Sequence, residues 1–398
     1  MTLNDICELI VDCPHSTAKD EGEGFPLIRT PNIGRGRLIL DDVHRVSMEV
    51  YDKINARAVP QDDDLILARE APAGNVAIVK DGEQVCLGQR TVLIRPDKSK
   101  VYPDFLAYYI LAPQQQYELL GTANGATVAH VNIPVIKSLP VDLPSLEDQV
   151  KIADILKAYD DLIETNQKQI RLLEEATQRI YKLWFKEFLF PGHDDVDIIE
   201  GIPVGWKSGR ADDFCDITIG KTPPRAEKKW FVNGGDGVAW ASISDMGAAG
   251  TYIFNTSEGL TEEAVEKHNM KVVPVGTILL SFKLTLGRVS ITTKPMCTNE
   301  AIAHFRLNKS TEREYTYSYL KNFEYDTLGN TSSISKAVNS KIIKAMPFVI
   351  PSEGILEKYS ALVAPLLDEV FNKQSQNLQL AEARDRLLPK LMSGEMEL

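Results

Sequence analysis

Two stretches of this chain repeat each other in order, and that duplication restricts its possible folds more than any other feature. Val131-Asn132, Lys137, Pro140 and Pro144 match Val338-Asn339, Lys344, Pro347 and Pro351 at an offset of 207 residues. Asp160, Ile170, Glu174, Lys182 and Leu183 match Asp368, Leu378, Glu382, Lys390 and Leu391 at an offset of 208. Upstream, Asp64-Leu-Ile-Leu-Ala68 and then Gly74-Asn-Val-Ala-Ile78 parallel Gly276-Thr-Ile-Leu-Leu280 and then Gly287-Arg-Val-Ser-Ile291. Cys86-Leu-Gly-Gln-Arg90 likewise parallels Cys297-Thr-Asn-Glu-Ala301. Self-similarity at one period marks a duplicated structural unit. A chain of 398 residues can fill two or three hydrophobic cores, so the reading is two similar halves.

Each half divides again. Leu65-Ile-Leu-Ala68, Val76-Ala-Ile-Val79 and Thr91-Val-Leu-Ile94 are short β-rich runs between Gly, Pro and Asp, which predicts strands. A helix is predicted over 102–111, ended by Pro113, with a counterpart over 315–322. A proline-punctuated strand is predicted over Ile136–Pro144, leading to Ser145, a suitable N-cap, with Glu147 and Asp148 in the first turn of a long helix. The predicted class is α+β. Two globular domains, 1–144 and 193–351, alternate with two helical regions, 145–192 and 352–398.

The first helical region carries an apolar heptad: Ile152, Leu156, Tyr159, Ile163, Asn166, Ile170, Leu173, Thr177, Ile180 and Trp184 alternate spacings of four and three. The second repeats it as Leu367, Phe371, Gln374, Leu378, Ala381, Asp385, Leu388 and Met392. Such a/d seams are coiled-coil patterns, and polar members such as Asn166 and Gln374 set register. Connectivity favours an antiparallel pair. A helix of some 40 residues spans about 60 Å, roughly two turns of B-DNA at about 34 Å each. Pro389 is expected to bend or shorten the end of the second helix. Trp184, Phe185 and Phe188 are expected to present apolar surface to a partner, so that the isolated chain behaves poorly.

The charge pattern argues against a uniformly basic binder. The total is −12, distributed as −6 over 1–144, −6 over 145–200, +3 over 201–351 and −3 over 352–398. A DNA reader needs local positive grooves rather than a positive sum. No apolar run is long enough for a membrane helix. The segment 1–11 carries Asp5 and Glu8 without a basic stretch, which argues against a signal peptide and for the cytoplasm. Cys7, Cys13, Cys86, Cys215 and Cys297 are scattered and form no CxxC pair, so buried thiols are expected rather than a zinc site.

The order of globular unit, helix, globular unit, helix resembles the specificity subunits of type I restriction-modification systems. Leu139-Pro-Val-Asp-Leu-Pro-Ser-Leu-Glu-Asp-Gln149, continuing into Ile152-Ala-Asp-Ile-Leu156, resembles that family's approach to its first long helix. Trp184-Phe185 and Glu200-Gly-Ile-Pro-Val-Gly-Trp206 resemble its exit, and Gly220-Lys-Thr-Pro-Pro224 with Val238–Asp245 the opening of a second recognition domain. Cys86–Arg90 and Gly125–Asn132 fit the first domain in the same way. The resemblance implies two target-recognition domains, each reading half of a split, asymmetric site on double-stranded DNA. It implies helices that dock two methyltransferase subunits, which bind S-adenosylmethionine and methylate adenine. Restriction subunits using ATP and Mg would join for cleavage. No cofactor is implied on this chain. The second helix departs from the pattern: Pro351–Tyr359 lacks the Gln and Ile-Ala of the first.

A catalytic constellation is not found in the sequence. Cys215–Thr222 approaches a phosphate loop, but Cys215 stands where Gly is required and Pro223-Pro224 blocks the helix that should follow. No Asn/Asp-Pro-Pro-Tyr pocket occurs, and the histidines show no HxxxH spacing for a metal. Base and phosphate contacts call for Arg, Lys, Asn, Gln, Ser and Thr on loops. The candidates are Arg29, Thr30, Asn32, Arg35, Arg69, Gln89 and Arg90 in the first domain. In the second they are Lys221, Arg225, Lys228, Lys229, Ser242, Ser244, Lys283, Arg288, Ser332, Ser333 and Lys336, with Trp230 inside the densest basic cluster. Two competing readings are a coiled-coil scaffold joining protein partners without DNA, and an enzyme with an unfamiliar site.

Overall fold

A computed structural model describes residues 1–13, 18–80, 82–121, 130–328 and 338–396. The chain divides into two compact units, Met1–Ile163 with Gln379–Leu398, and Glu164–Leu378. Both cuts fall inside the long helices, so each unit consists of one head and a stretch of each helix.

The head of the first unit is built on a five-stranded sheet ordered Cys7–Asp12, Thr91–Pro96, Leu65–Ala68, Val76–Ile78 and Gly36–Arg37. Its neighbours are antiparallel except the last pair, which is parallel. The second head repeats this order with Asp216–Ile219, Ile302–Arg306, Ile278–Ser281, Val289–Thr292 and Tyr252–Ile253, again parallel only at the last pair. A smaller sheet follows in each: Phe25–Ile28 pairs parallel with Cys86–Leu87, and Val238–Ala241 pairs parallel with Cys297–Thr298. The duplication read from sequence is therefore a duplication of topology.

The central strands bury both faces, which explains why their apolar runs are continuous rather than alternating. Leu65 and Leu67 pack toward Phe105, Leu106 and Tyr109, while Ile66 and Ala68 pack toward Ile28, Val85 and Leu87. In the second head, Ile278 and Leu280 face Tyr315 and Tyr317, and Leu279 faces Ile243 and Met246. Each buried Leu, Ile, Val, Phe or Met among them contributes about 1.5–3 kcal/mol. His304 sits on the second face between the hydroxyls of Thr218, at 2.9 Å, and Thr298, at 2.7 Å. Burial lowers its pKa to about 4, so it is neutral at pH 7.

Helix Pro103–Leu111 lies in the first head, and Pro113 opens a further helix, Pro113–Gly121, besides ending the first. Where the sequence predicts a strand over Ile136–Pro144, the short helix Ile133–Lys137 is followed by extended chain that makes, among the described residues, only the single bridge Pro140–Thr2, because Pro140 and Pro144 have no N–H to give a ladder. The first long helix is Leu146–Phe185, with Ser145 Oγ accepting from the Asp148 N–H at 3.2 Å. The second is Glu353–Met392, and it continues through Pro389, where the sequence predicted an early end or bend. Neither is long and apolar enough to cross a membrane, nor is any other helix among the described residues.

Within each unit the helix stretches pack antiparallel. In the first unit, Ile152, Ala153 and Leu156 share a core with Leu388 and Leu391. In the second, Asn166 Nδ2 donates to Gln376 Oε1 at 3.0 Å and Asn377 Oδ1 at 2.9 Å, and the tilted rings of Trp184 and Tyr359 lie 5.7 Å apart. The first helix inclines its predicted seam inward: Ile152, Leu156, Asn166 and Thr177 are buried, and Tyr159, Ile163, Ile170, Leu173, Ile180 and Trp184 are half-buried.

The second helix differs from the prediction. Leu367 and Leu388 are buried, but Phe371 is 36% exposed and Leu378 43% exposed, and Asp385 faces solvent. The inward positions beside them are Val370, Asn377 and Arg384, each one residue earlier. Phe371 instead meets Tyr252 at 5.3 Å and Phe254 at 5.0 Å on the second head. Gln374 caps backbone there: it accepts from Tyr252 N at 3.1 Å and donates to Ala249 O at 2.7 Å. The aromatic residues expected to be exposed are also internal: Phe185 is buried against Tyr315 and Tyr359, each at 4.8 Å, and Trp184 and Phe188 are half-buried.

Candidate nucleic-acid interface

The strand framework presents polar loops, but many of the polar groups in them are engaged internally. Thr30 and Asn32 are buried in a tight turn. Asn32 Oδ1 accepts from Arg29 N at 3.1 Å while its Nδ2 donates to Ile39 O at 3.2 Å. Asn32 is thus a loop staple. Arg29 is half-buried, and its Nε finds no acceptor among the described residues.

Arg69 is the clearest departure from a free reader. It is 8% exposed, and its Nη1 donates to both Asp12 oxygens, at 3.0 and 2.9 Å. Its Nε donates to Val131 O at 2.9 Å, and its Nη2 lies 2.8 Å from His130 Nε2. His130 Nδ1 in turn meets Glu70 at 2.6 Å, and Glu70 pairs with Arg90 at 2.9 Å. This chain of hydrogen bonds and ion pairs ties the strand Cys7–Asp12, the turn after Leu65–Ala68 and the segment at Val131 together. Arg90 remains exposed at its outer end, beside half-buried Gln89, and Arg35 is exposed with a 3.4 Å bond to Leu111 O.

In the second head, Trp230 is buried and cations lie over its ring: Lys229 at 4.3 Å and Lys267 at 4.8 Å. Arg225 lies over Phe231 at 4.2 Å and Trp240 at 4.6 Å and is paired with Glu258 at 2.8 Å. Lys221 Nζ donates to His268 O at 2.6 Å, and Lys228 is exposed. Aromatic faces hold Arg225, Lys229 and Lys267 at the surface, where Glu258 pairs with Arg225 and Glu227 lies 3.9 Å from Lys229. Lys267, far from Trp230 in sequence, was not among the predicted residues. The lysine alone carries no signal, because only the fold places it over the ring.

Ser242 and Arg288 are structural. Ser242 caps the helix Ile243–Ala249, accepting from Asp245 N at 3.2 Å. Arg288 donates to Ile243 O at 2.6 Å, and a Cβ on Gly247 would come within 2.5 Å of it. Ser244 and Lys283 are exposed. Ser332, Ser333 and Lys336 lie outside the described residues.

The thiols of Cys86 and Cys215 are pushed up to about 12 by burial, and among the described residues no His, Cys, Asp and Glu cluster could hold a metal.

Two heads of one topology, each with a polar loop edge and each joined to stretches of two long helices, define a duplicated, two-headed binding architecture. A family model described as type I restriction modification DNA specificity domain matches residues 1–175 and 203–374. The chain belongs to that family. It is 28% identical to the type I restriction enzyme MjaIX specificity subunit of Methanocaldococcus jannaschii, over 83% of this chain and 77% of the relative. It is 23% identical to the HindI specificity subunit of Haemophilus influenzae, over 83% of this chain and 86% of the relative. The crystal structure of the type I restriction-modification S subunit from M. genitalium shares the fold, with a TM-score of 0.54, 14% identity, and coverage of 98% of this chain and 95% of that one.

Proposed function

We propose that this chain is the DNA-reading subunit of a type I restriction-modification complex. Residues 1–144 read one part of a split site and residues 193–351 the other. The long helices dock two methyltransferase subunits, which supply S-adenosylmethionine and adenine methylation, and restriction subunits supply ATP- and Mg-dependent cleavage. The chain itself contributes recognition and no catalytic group. The observation that carries this reading is that the five-stranded sheets of the two heads repeat in strand order and direction while the smaller sheets, three-stranded in the first head and four-stranded in the second, and the loops differ. Around the shared sheet, one head carries the Asp12–Arg69–His130–Glu70 network and the other the lysines over Trp230. Equal frameworks with unequal loops suit a bipartite, asymmetric target.

The test is long-read methylation mapping in cells co-expressing the chain and its methyltransferase. The expected result is a two-part N6-methyladenine motif with a fixed gap. Exchanging residues 1–144 for those of a relative should change one part only. An active methyltransferase that leaves no motif would instead favour the scaffold reading.

A second expectation concerns salt. Lys228→Ala with Lys229→Ala should weaken binding to all sequences alike and lower the slope of log K against log salt by up to about 1.8, at about 0.9 for each phosphate no longer neutralised. Fluorescence anisotropy between 50 and 200 mM salt, of the order used for such titrations, measures it. An unchanged slope would remove these lysines from the interface.

A further inference from the structure

The turn joining Ile278–Ser281 to Val289–Thr292 carries Leu284, whose side chain is 101% exposed, the most exposed large apolar side chain among the described residues. Its backbone is left-handed, with φ of 61°, a conformation uncommon for any residue but Gly, Asn or Asp. The turn is built rather than loose. Thr285 N donates to Lys283 O at 2.7 Å across Leu284, and Ser281 Oγ donates to Thr285 O at 2.6 Å while accepting from Arg288 N at 3.0 Å. Just before the tip, Phe282 is buried and its N–H donates to Ala301 O at 2.9 Å. The fold therefore holds an apolar side chain outward on a strained backbone, with the exposed ammonium of Lys283 beside it. Strain of this sort persists where the surroundings enforce it and points to use.

We propose that Leu284 is a wedge that enters the DNA helix at the part of the site read by the second head, partly unstacking one base step while Lys283 meets the adjoining phosphate. Leu is among the side chains that DNA-bending proteins insert in this way, and a wedge needs a rigid mount and a neighbouring cation. The corresponding turn of the first head carries Ala71, also left-handed with φ of 41°, where no long apolar side chain is available. Insertion is thus a property of the second head alone. This inference rests on the DNA-reading function proposed above.

The experiment uses the chain in complex with its methyltransferase and the mapped target duplex. The part of the motif that survives exchange of residues 1–144 is the one read by the second head. A fluorescent base analogue, 2-aminopurine or pyrrolocytosine, is placed in turn at each position there other than the methylated adenine. Wild type should raise emission at one step. Leu284→Ala should abolish that rise and weaken binding about tenfold, and Leu284→Phe should preserve both. Because the side chain is fully exposed, neither change disturbs the core. Unchanged emission with Leu284→Ala overturns the wedge, even if affinity falls, since the side chain would then be a groove contact. If wild type leaves a motif but raises emission at no step, the wedge alone fails. If an active methyltransferase leaves no motif at all, the DNA-reading function fails and the wedge with it.

Discussion

Arg384→Ala is expected to destabilise the first unit by about 3–5 kcal/mol, because it leaves a buried carboxylate without its counter-charge. Asp160 is 4% exposed. Arg384 pairs with one of its oxygens, and the Tyr108 hydroxyl donates to the other at 2.6 Å. Burial and the adjacent carboxylate push the Tyr108 phenol well above its ordinary range, so it stays a donor. The three side chains come from the second long helix, the first long helix and the first head, so the pair fixes the register of all three elements within this unit. Hydrogen exchange of the full chain in its methyltransferase complex reads the effect. Amides in 146–163 and 379–392 should open roughly 100-fold faster or more, at 1.4 kcal/mol per tenfold. Replacing the whole group with apolar residues, Arg384→Met with Asp160→Leu and Tyr108→Phe, should recover most of the stability, since breaking a pair is costly while substituting it is often neutral. Exchange within tenfold of wild type in the single variant would show that the pair holds little.

Arg69→Ala is expected to come next in size, at roughly 3 kcal/mol of local stability, because Asp12, Val131 and His130 lose the guanidinium that joins them. Binding of the complex to its mapped site should fall by about 30-fold or more as the loops of the first head lose their mount. The slope of affinity against salt should stay as in wild type, because Arg69 holds protein groups rather than a phosphate. That slope separates the two roles. A phosphate contact would lower it by about 0.9, and a drop of that size would return Arg69 to the interface. Arg69→Lys should restore only part of the affinity, because one ammonium cannot replace the three guanidinium nitrogens that reach Asp12, Val131 and His130 at once.

Arg69 and Arg288 show how far the site was legible. A basic residue on a loop reads the same in sequence whether it meets a phosphate or a carboxylate of its own chain. Arg69 is committed to Asp12 and Val131, and Arg288 to Ile243. Such partners lie tens of residues away and come together only when the strands pair. The cluster from Lys221 to Trp230 was legible because its members are close in sequence, yet Lys267 joins it only through the fold. Leu284 gave no signal at all, since an apolar residue near a strand is expected to be buried.

What the sequence by itself determined is the duplication, the long helices, the main strands and the family. Each is written in local periodicity or in ordered motifs: 3.5-residue spacing for a seam, short β-rich runs between turn residues for strands, and a constant offset for the repeat. Tertiary structure decided which neighbour faces inward where two candidates adjoin. Around Val370-Phe371 and Asn377-Leu378 the more apolar residue of each pair looked like the seam. Phe371 is drawn aside by Tyr252 and Phe254, and Asn377 turns inward because Asn166 lies opposite to hydrogen-bond it. Periodicity ranks side chains by hydrophobicity, whereas packing ranks them by the partner that each can reach. That partner is fixed only when distant parts of the chain have met.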